Sequence, residues 1–396
     1  MASQETLGHS ASGRSSFLYD PKIRGYIFQV LVVVALVLAV GWIVLNTMEN
    51  LRRANISSGF GFLNGRAGFD ISIALIPFNS DSTFGRALAV GLLNTLVMAA
   101  AGIVTATVVG FIVGIGRLSR NWLIARICTV YVEVFRNIPP LLVIFFWYLG
   151  VLSVLPLPRD SIELPFGSYL NSRGFFFPRA IWEQGSWLIL LAFVLAIAMN
   201  WFVARRARIR QMATGQPFPV FWTAVALIVG LPLLAFLVAG MPVTFETPRL
   251  STFNLTGGLV VLPEFIALYL ALSFYTASFI AEIVRAGILG VSKGQTEASY
   301  ALGLRPGQTL RLVIVPQAMR IVIPPLTSQY LNLTKNSSLA VAIGYPELVA
   351  VGGTILNQTG QSIEVVAIWM IVYLSLSLVT SVFMNWFNAR VALVER

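Results

Sequence analysis

Long apolar runs alternate with polar ones along this sequence. A run of about 18 or more apolar residues with few charges is long enough to cross a bilayer as a helix. The first such run covers residues 26–45. The core of a secretory signal is shorter, roughly 7–15 residues, and ends at a small-residue cleavage site. Here the run passes into Asn46 and Thr47 instead, so it predicts an uncleaved first span. Seven further spans are predicted at about 84–115, 132–155, 187–203, 220–239, 264–284, within 321–356, and at 365–387. Polar residues interrupt the seventh and blur its ends. Trp42, Trp147, Trp187, Trp222 and Trp386 fall near predicted span ends, where amphipathic rings favour the membrane interface. Residues 1–25 are polar and Ser-rich and read as a disordered cytoplasmic tail. Residues 47–83 and 156–186 are long, rich in Gly, Pro, Ser and Phe, and read as irregular caps on the outer face. No repeat with a period of 20–50 residues is visible.

Charge sets the orientation. Lys and Arg accumulate in cytoplasmic segments. With the N-terminus inside, eighteen of the 27 fall on the cytoplasmic side, among them Arg117, Arg120, Arg126, Arg205, Arg206, Arg208, Arg210, Lys293, Arg305 and Arg311. Eight fall outside, and Lys335 lies within a span. The bias predicts eight spans with both termini cytoplasmic. Composition agrees: hydrophobic residues make up 57% and charged residues 11%, against roughly 45–50% and about 25% in soluble domains. A net charge of +11 on a soluble domain would point to nucleic acid; here the topology accounts for it.

Several chemistries lack material. The single cysteine, Cys128, excludes an intrachain disulfide framework and a cysteine-rich metal site, and the single histidine, His9, sits in the polar tail, so a histidine triad or multi-histidine metal centre is excluded. No phosphate loop is present. Gly290-Val291-Ser292-Lys293-Gly294 has the residue types but not the spacing. The chain is therefore expected to bind no nucleotide and no cofactor, and to catalyse no reaction itself.

The long segment after the sixth span, 285–323, carries the most specific pattern. Residues 295–302 are good helix formers with Glu297 early, where the helix dipole favours an acid. Gly303 suits the stop of that helix. Pro306 suits the first turn of a second helix over 307–315, and Pro316 is expected to end or kink it. Small residues at Ala298, Ser299 and Ala301 leave the first helix able to approach another surface closely.

This loop resembles the cytoplasmic signature of binding-protein-dependent ABC importer permeases: Glu-Ala-Ala, three residues, Gly, nine residues, Ile, one residue, Leu-Pro. Here it reads Glu297-Ala298-Ser299, Gly303, Val313, Val315 and Pro316, with Ser for the second Ala and Val for Ile and Leu. The resemblance extends to the polar amino acid branch. Gly91-Leu92-Leu93-Asn94-Thr95-Leu96 resembles its opening motif. Glu133-Val134-Phe135-Arg136-Asn137-Ile138-Pro139-Pro140-Leu141 resembles a second, with Asn137, Ile138 and Pro140 departing. The stretches from Phe279 to Gly287 and from Lys335 to Leu339 match closely. The usual subunit of that branch has five spans. Three extra ones, the first, fourth and fifth, fit a larger variety resembling the general L-amino acid and glutamate/glutamine/aspartate/asparagine permeases of Gram-negative bacteria.

The resemblance implies an all-α type I importer transmembrane fold in the bacterial inner membrane. It implies a division into a tail at 1–25, an extra span and periplasmic loop at 26–83, and a permease domain at 84–390. That domain would hold an insertion of two spans at about 156–261 and a coupling loop at 287–320. It also implies partners: a second homologous permease chain, two ATP-binding subunits on which ATP and Mg would be bound, and a periplasmic amino-acid-binding protein, besides the membrane lipid itself. Glu297, Ala298, Ser299, Gly303 and Pro316 would then form the ATPase-coupling element.

A charge at membrane depth usually faces a cavity or a partner. Lys335 shares a helix face with Asn332 and Asn336, next to Ser337 and Ser338, and such a face could line a substrate path and meet a carboxylate. The alternative is structural, with Lys335 paired to Glu347 or Glu282. Both acids also count as path candidates. Glu282 with Arg285, and Glu133 with Arg136, are spaced for local ion pairs. An ion-gradient-driven transporter remains a second class. It would favour inverted repeats and broken helices; no repeat is visible, although Pro324 and Pro325 could break a helix.

Overall fold

The computed structural model describes residues 21–53, 59–251 and 254–391; most of the polar tail, with His9, lies outside them. Among the described residues seven helices are long and apolar enough to cross a membrane, or eight when one bent pair counts as a single span. In chain order the helices are α1 (Pro21–Arg53), α2 (Phe84–Gly116), α3 (Trp122–Asn137), α4 (Pro140–Phe145), α5 (Trp187–Thr214), α6 (Val220–Val238), α7 (Pro263–Leu289), α8 (Lys293–Ala301), α9 (Pro306–Thr309), α10 (Val315–Asn336), α11 (Leu348–Thr359) and α12 (Ser362–Val391).

The core forms around α2 and α7, the most extensively packed pair of helices. Their closeness has a sequence cause. Gly102, Ala106, Gly110 and Gly114 repeat every four residues and are all buried, so α2 presents a stripe with almost no side chain. Without a hydrophobic effect between helices in lipid, such stripes let backbones approach and gain dispersion contacts. A Cβ at Gly110 would lie 2.6 Å from Cβ of Ile280, and one at Gly114 would lie 2.7 Å from the Ala281 carbonyl oxygen. Around this pair sit α10, α11, α3 and α4, and α12 packs on α10 and α11. Tyr131 of α3 donates to the Phe274 carbonyl of α7 at 2.6 Å.

The other three long helices are built differently. The apolar stretch of α1 has no buried residue, α5 buries only Ala196 and Ala207, and α6 buries none. α5 and α6 pack mainly against each other.

The predicted spans and the structure differ at three places. The third predicted span is two helices. α3 begins ten residues earlier, at Trp122, and α4 continues as a wide π-turn over Phe146–Leu152, bent from α3 by 111°. The break falls at Pro139–Pro140, where the residue before each proline is pushed out of helical conformation. The seventh region divides too. α10 runs unbroken through Pro316, Pro324 and Pro325, tightens to a 3-10 turn over Ser337–Ile343, and α11 follows as a separate helix. Pro316 does not end a helix: α9, a π-turn at Leu310–Ile314 and α10 follow one another without a break, and Pro316 stands directly after the wide turn.

The third difference is between α4 and α5, in the segment expected to cap the outer face. Segment 156–186 is a small β layer. Strands β1 (Ile162–Leu164), β2 (Ser168–Asn171) and β3 (Gly174–Phe177) form antiparallel hairpins, and β4 (Arg179–Trp182) follows. After α6 come β5 (Val243–Glu246), β6 (Arg249–Leu250), β7 (Leu255–Thr256) and β8 (Leu259–Val261). β8 joins β3 and β5 joins β4, so the layer ties the two ends of the α5–α6 hairpin together. Segment 59–83 stays largely irregular, with one 3-10 turn at Phe60–Asn64 and Phe62, Phe69 and Phe78 packed near Phe84.

Candidate functional site

The loop after α7 folds as a helix, a glycine turn and a helix. α8 ends in a Schellman arrangement. The N–H of Gly303 donates to the Tyr300 carbonyl at 2.9 Å, and the N–H of Leu304 to the Ser299 carbonyl at 3.1 Å. Gly303 sits at φ +78°, the left-handed conformation glycine adopts without strain. Pro306 opens α9 in the first turn, and the N–H of Arg305 donates to Gln308 Oε1 at 3.0 Å.

One face of α8 is held and the other is bare. Ser299 is buried and its hydroxyl donates to the Gln295 carbonyl at 2.6 Å. Gln317 of α10 donates to Gln295 Oε1 at 3.2 Å. Glu297, Ala298, Tyr300 and Leu302 are exposed, Leu302 to 81%, and among the described residues Glu297 makes no ion pair. The five coupling candidates therefore separate. Glu297 and Ala298 present the open face, Gly303 sets the turn, Ser299 lies on the buried face of α8, and Pro316 lies in the first turn of α10.

The structure disperses the membrane-depth candidates. Asn332 and Lys335 are exposed on one face of α10, with Asn336 half-buried beside them. Lys335 and Ser338 line an open cleft of about 330 Å³ with Val349, Trp369, Met370 and Tyr373. Lys335 pairs with neither Glu347 nor Glu282. The hydroxyls of Ser337 and Ser338 are committed locally, to the Thr334 carbonyl at 2.7 Å and the Lys335 carbonyl at 2.8 Å.

Glu347 stands at the start of α11, fully buried. Its carboxylate accepts from the N–H groups of Val349 at 2.8 Å and Ala350 at 2.7 Å and from the Tyr373 hydroxyl at 3.2 Å. That is a helix cap, and Glu347 does not line the cleft itself, although its partners Val349 and Tyr373 do.

Glu282 is the centre of a charge cluster joining three helices. It pairs with Arg117 at the end of α2, with Arg285 at 2.6 Å, and with Arg136 of α3 at 3.9 Å. Arg136 also lies over the Phe279 ring at 5.5 Å. The expected local pair of Glu282 and Arg285 is present. Glu133 and Arg136 do not pair, because Arg136 turns to α7.

Arg117 is a residue the sequence reading passed over, counted only as a topology marker. Asn94 and Thr95 are another case. Both are buried in α2. Asn94 donates to the carbonyls of Ile73 and Pro346, each at 2.8 Å, and the Leu348 N–H donates to Thr95 Oγ1 at 3.2 Å. Gly91 lets the backbone of Leu348 approach. The 91–96 motif thus clasps α2 to the start of α11. Two polar residues inside an apolar span were the available signal, since buried polar groups need partners.

A bundle of helices long and apolar enough to cross a membrane, with a bare helical loop between α7 and α10, has the build of a membrane-embedded subunit. The comparisons agree. Residues 212–393 match the family described as binding-protein-dependent transport system inner membrane component. The chain is 67% identical over 381 residues to the general L-amino acid transport system permease protein AapQ of Rhizobium johnstonii, covering 96% of this chain and 95% of that one. It is 50% identical to the putative amino-acid ABC transporter permease protein YhdX of Escherichia coli K12, covering 98% of each. It is 41% identical to the glutamate/glutamine/aspartate/asparagine transport system permease protein BztB of Rhodobacter capsulatus, covering 96% of this chain and 97% of that one. The chain belongs to the family of binding-protein-dependent transport system inner membrane components. It is a multi-pass inner-membrane permease subunit that works with partner subunits, and ion-gradient-driven transport is set aside.

Proposed function

We propose that this chain forms, with a second homologous permease chain, the path by which an ATP-driven importer moves L-amino acids across the bacterial inner membrane. Polar, acidic and amide side chains are the expected range, in line with the names of the relatives. A periplasmic binding protein delivers the substrate, and two ATP-binding subunits bind ATP and Mg and hydrolyse the nucleotide. Both termini lie in the cytoplasm, as the charge bias favours.

The observation that carries the coupling role is the bare face of α8. A short helix tied to α10 through Gln295 and Gln317, with Ser299 buried on the same side, and stopped at Gly303, transmits displacement instead of absorbing it. By linkage, substrate-loaded binding protein outside must then bias the ATPase inside. Gly303→Val places a β-branched residue at positive φ and should uncouple ATP hydrolysis from uptake while the complex still assembles. Purified four-component complex in vesicles checks this: hydrolysis should rise with loaded binding protein in wild type, and not in the variant. An equal rise in both would refute the coupling role.

Lys335, with Asn332, Asn336 and Ser338, supplies the polar wall of the path. Its free ammonium beside an open cleft supports this, and Glu347 and Glu282 serve as supports of the bundle. Lys335→Met should abolish uptake with ATPase assembly retained; normal uptake would remove Lys335 from the path.

A further inference from the structure

The cytoplasmic end of α5 carries four arginines that the transport reading does not use. Arg205, Arg206, Arg208 and Arg210 are all exposed, and among the described residues none of them pairs with a carboxylate. They are not equivalent. Arg206 and Arg210 are one turn apart on one face of α5 and line a groove of about 530 Å³ together with Phe202, Val203, Ile209 and Phe218; Arg205 and Arg208 do not line it.

The groove has a local cause. Gly215 caps α5 at φ +73° and its N–H donates to the Gln211 carbonyl at 2.9 Å. The chain then turns through Pro217 into α6, which sets Phe218 across from Arg206 and Arg210. Arg206 also lies over the Phe202 ring at 5.0 Å, which holds its guanidinium at the mouth of the apolar wall.

We propose that this groove is a binding site for an anionic phospholipid of the cytoplasmic leaflet. Arg206 and Arg210 leave the helix one turn apart, about 6 Å along the axis at the backbone, and line the same groove; two arginines so placed suit a phosphodiester, which arginine holds with paired charge-assisted hydrogen bonds. The apolar wall of Phe202, Val203 and Phe218 continues toward the bilayer and receives the acyl chain. Anionic lipids give the cytoplasmic leaflet a negative surface potential, and juxtamembrane arginines are attracted to it. α5 and α6 pack mainly on each other, so a lipid wedged at their turn is part of how the hairpin is seated. The proposal rests on the membrane placement of α5 and α6, and not on the identity of the transported substrate.

A paired-variant experiment separates this site from bulk charge. Arg206→Gln/Arg210→Gln and Arg205→Gln/Arg208→Gln remove the same charge from the same turns. Phosphatidylglycerol binding to the purified complex is titrated by native mass spectrometry, with phosphatidylcholine as the neutral control. The site predicts that the first variant lowers phosphatidylglycerol affinity at least about tenfold and the second less than about twofold. Equal losses would mean a diffuse basic surface and overturn the proposal. Displacement of the bound lipid by millimolar inorganic phosphate would make it a free-phosphate site and overturn it too. Uptake by the wild-type complex in the same preparation keeps the transport reading under separate test.

Discussion

The α2–α7 pair and the α5–α6 hairpin are both pairs of long apolar helices, yet the first is a core and the second is an appendage. The difference lies in side-chain size at the contact. α2 offers glycine or alanine every fourth residue and receives Ile280 and Val284 of α7 into the gap. In α6 no residue is buried, and nothing lies within 4 Å of a Cβ placed at Gly230. Hydrophobicity takes a helix into the membrane, but small residues in register decide which helix it meets there. The polar contacts follow the same division. The Glu282 cluster and the Asn94–Thr95 clasp tie core helices together, whereas the arginines of α5 face outward.

Substitutions that treat the two regions alike should give unlike results. The largest contrast is Gly114→Leu against Gly230→Leu. The first drives a side chain into the Ala281 carbonyl and Val284, while Gly230 of α6 has nothing within 4 Å. Overpacking should cost about 3 kcal/mol, read as a lower unfolding midpoint of the purified complex; Gly230→Leu should leave it in place. Next is Glu282→Gln, which leaves Arg117, Arg136 and Arg285 gathered without their carboxylate. A loss of about 2 kcal/mol is expected by the same measurement, with added salt recovering part of it. Thr95→Val removes the acceptor of the Leu348 N–H and should cost about 1 kcal/mol. Smallest is Arg205→Gln on α5, within about 0.5 kcal/mol of wild type. If Arg205→Gln proved as harmful as Glu282→Gln, the division into core and appendage would fail.

How much of this was legible in the sequence varies by region. Apolar length located the long helices, since bilayer thickness fixes it. The extra spans could be singled out, and they are the exposed ones. Glycine at 303 and proline at 306 gave the turn between α8 and α9, because each imposes a backbone angle by itself. Elements decided by context were less visible. The break before α4 lay in Pro139–Pro140, inside what reads as one apolar run. Prolines 316, 324 and 325 looked like breaks and are carried within or at the start of α10. The outer β layer was missed because its strands are two to four residues long, too short for an alternation to stand out, although Asn171-Ser172-Arg173-Gly174 marks its hairpin. In the candidate site, the turn at Gly303 was readable from its residue type, while Glu297 was singled out by the resemblance of its motif. The local partner of Glu282, Arg285, was readable too, but Arg117 was not, since it is 165 positions away. Glu347 looked like a membrane-depth acid and is a helix cap, which depends on where the 3-10 turn before it ends.

The claim on which the rest hangs is that the open face of α8 docks on an ATP-hydrolysing partner. Cys128 is the only cysteine, so a Cys128→Ser background allows a single probe at Leu302, exposed to 81% on α8. In membranes holding the whole complex, Leu302→Cys with a short thiol-to-amine cross-linker should yield one product joining this chain to the ATP-binding subunit, and its yield should change when ATP is added. A cysteine at Leu75, exposed in the segment before α2, should give no such product. No cross-link from position 302 in a complex that still imports amino acids would contradict the account.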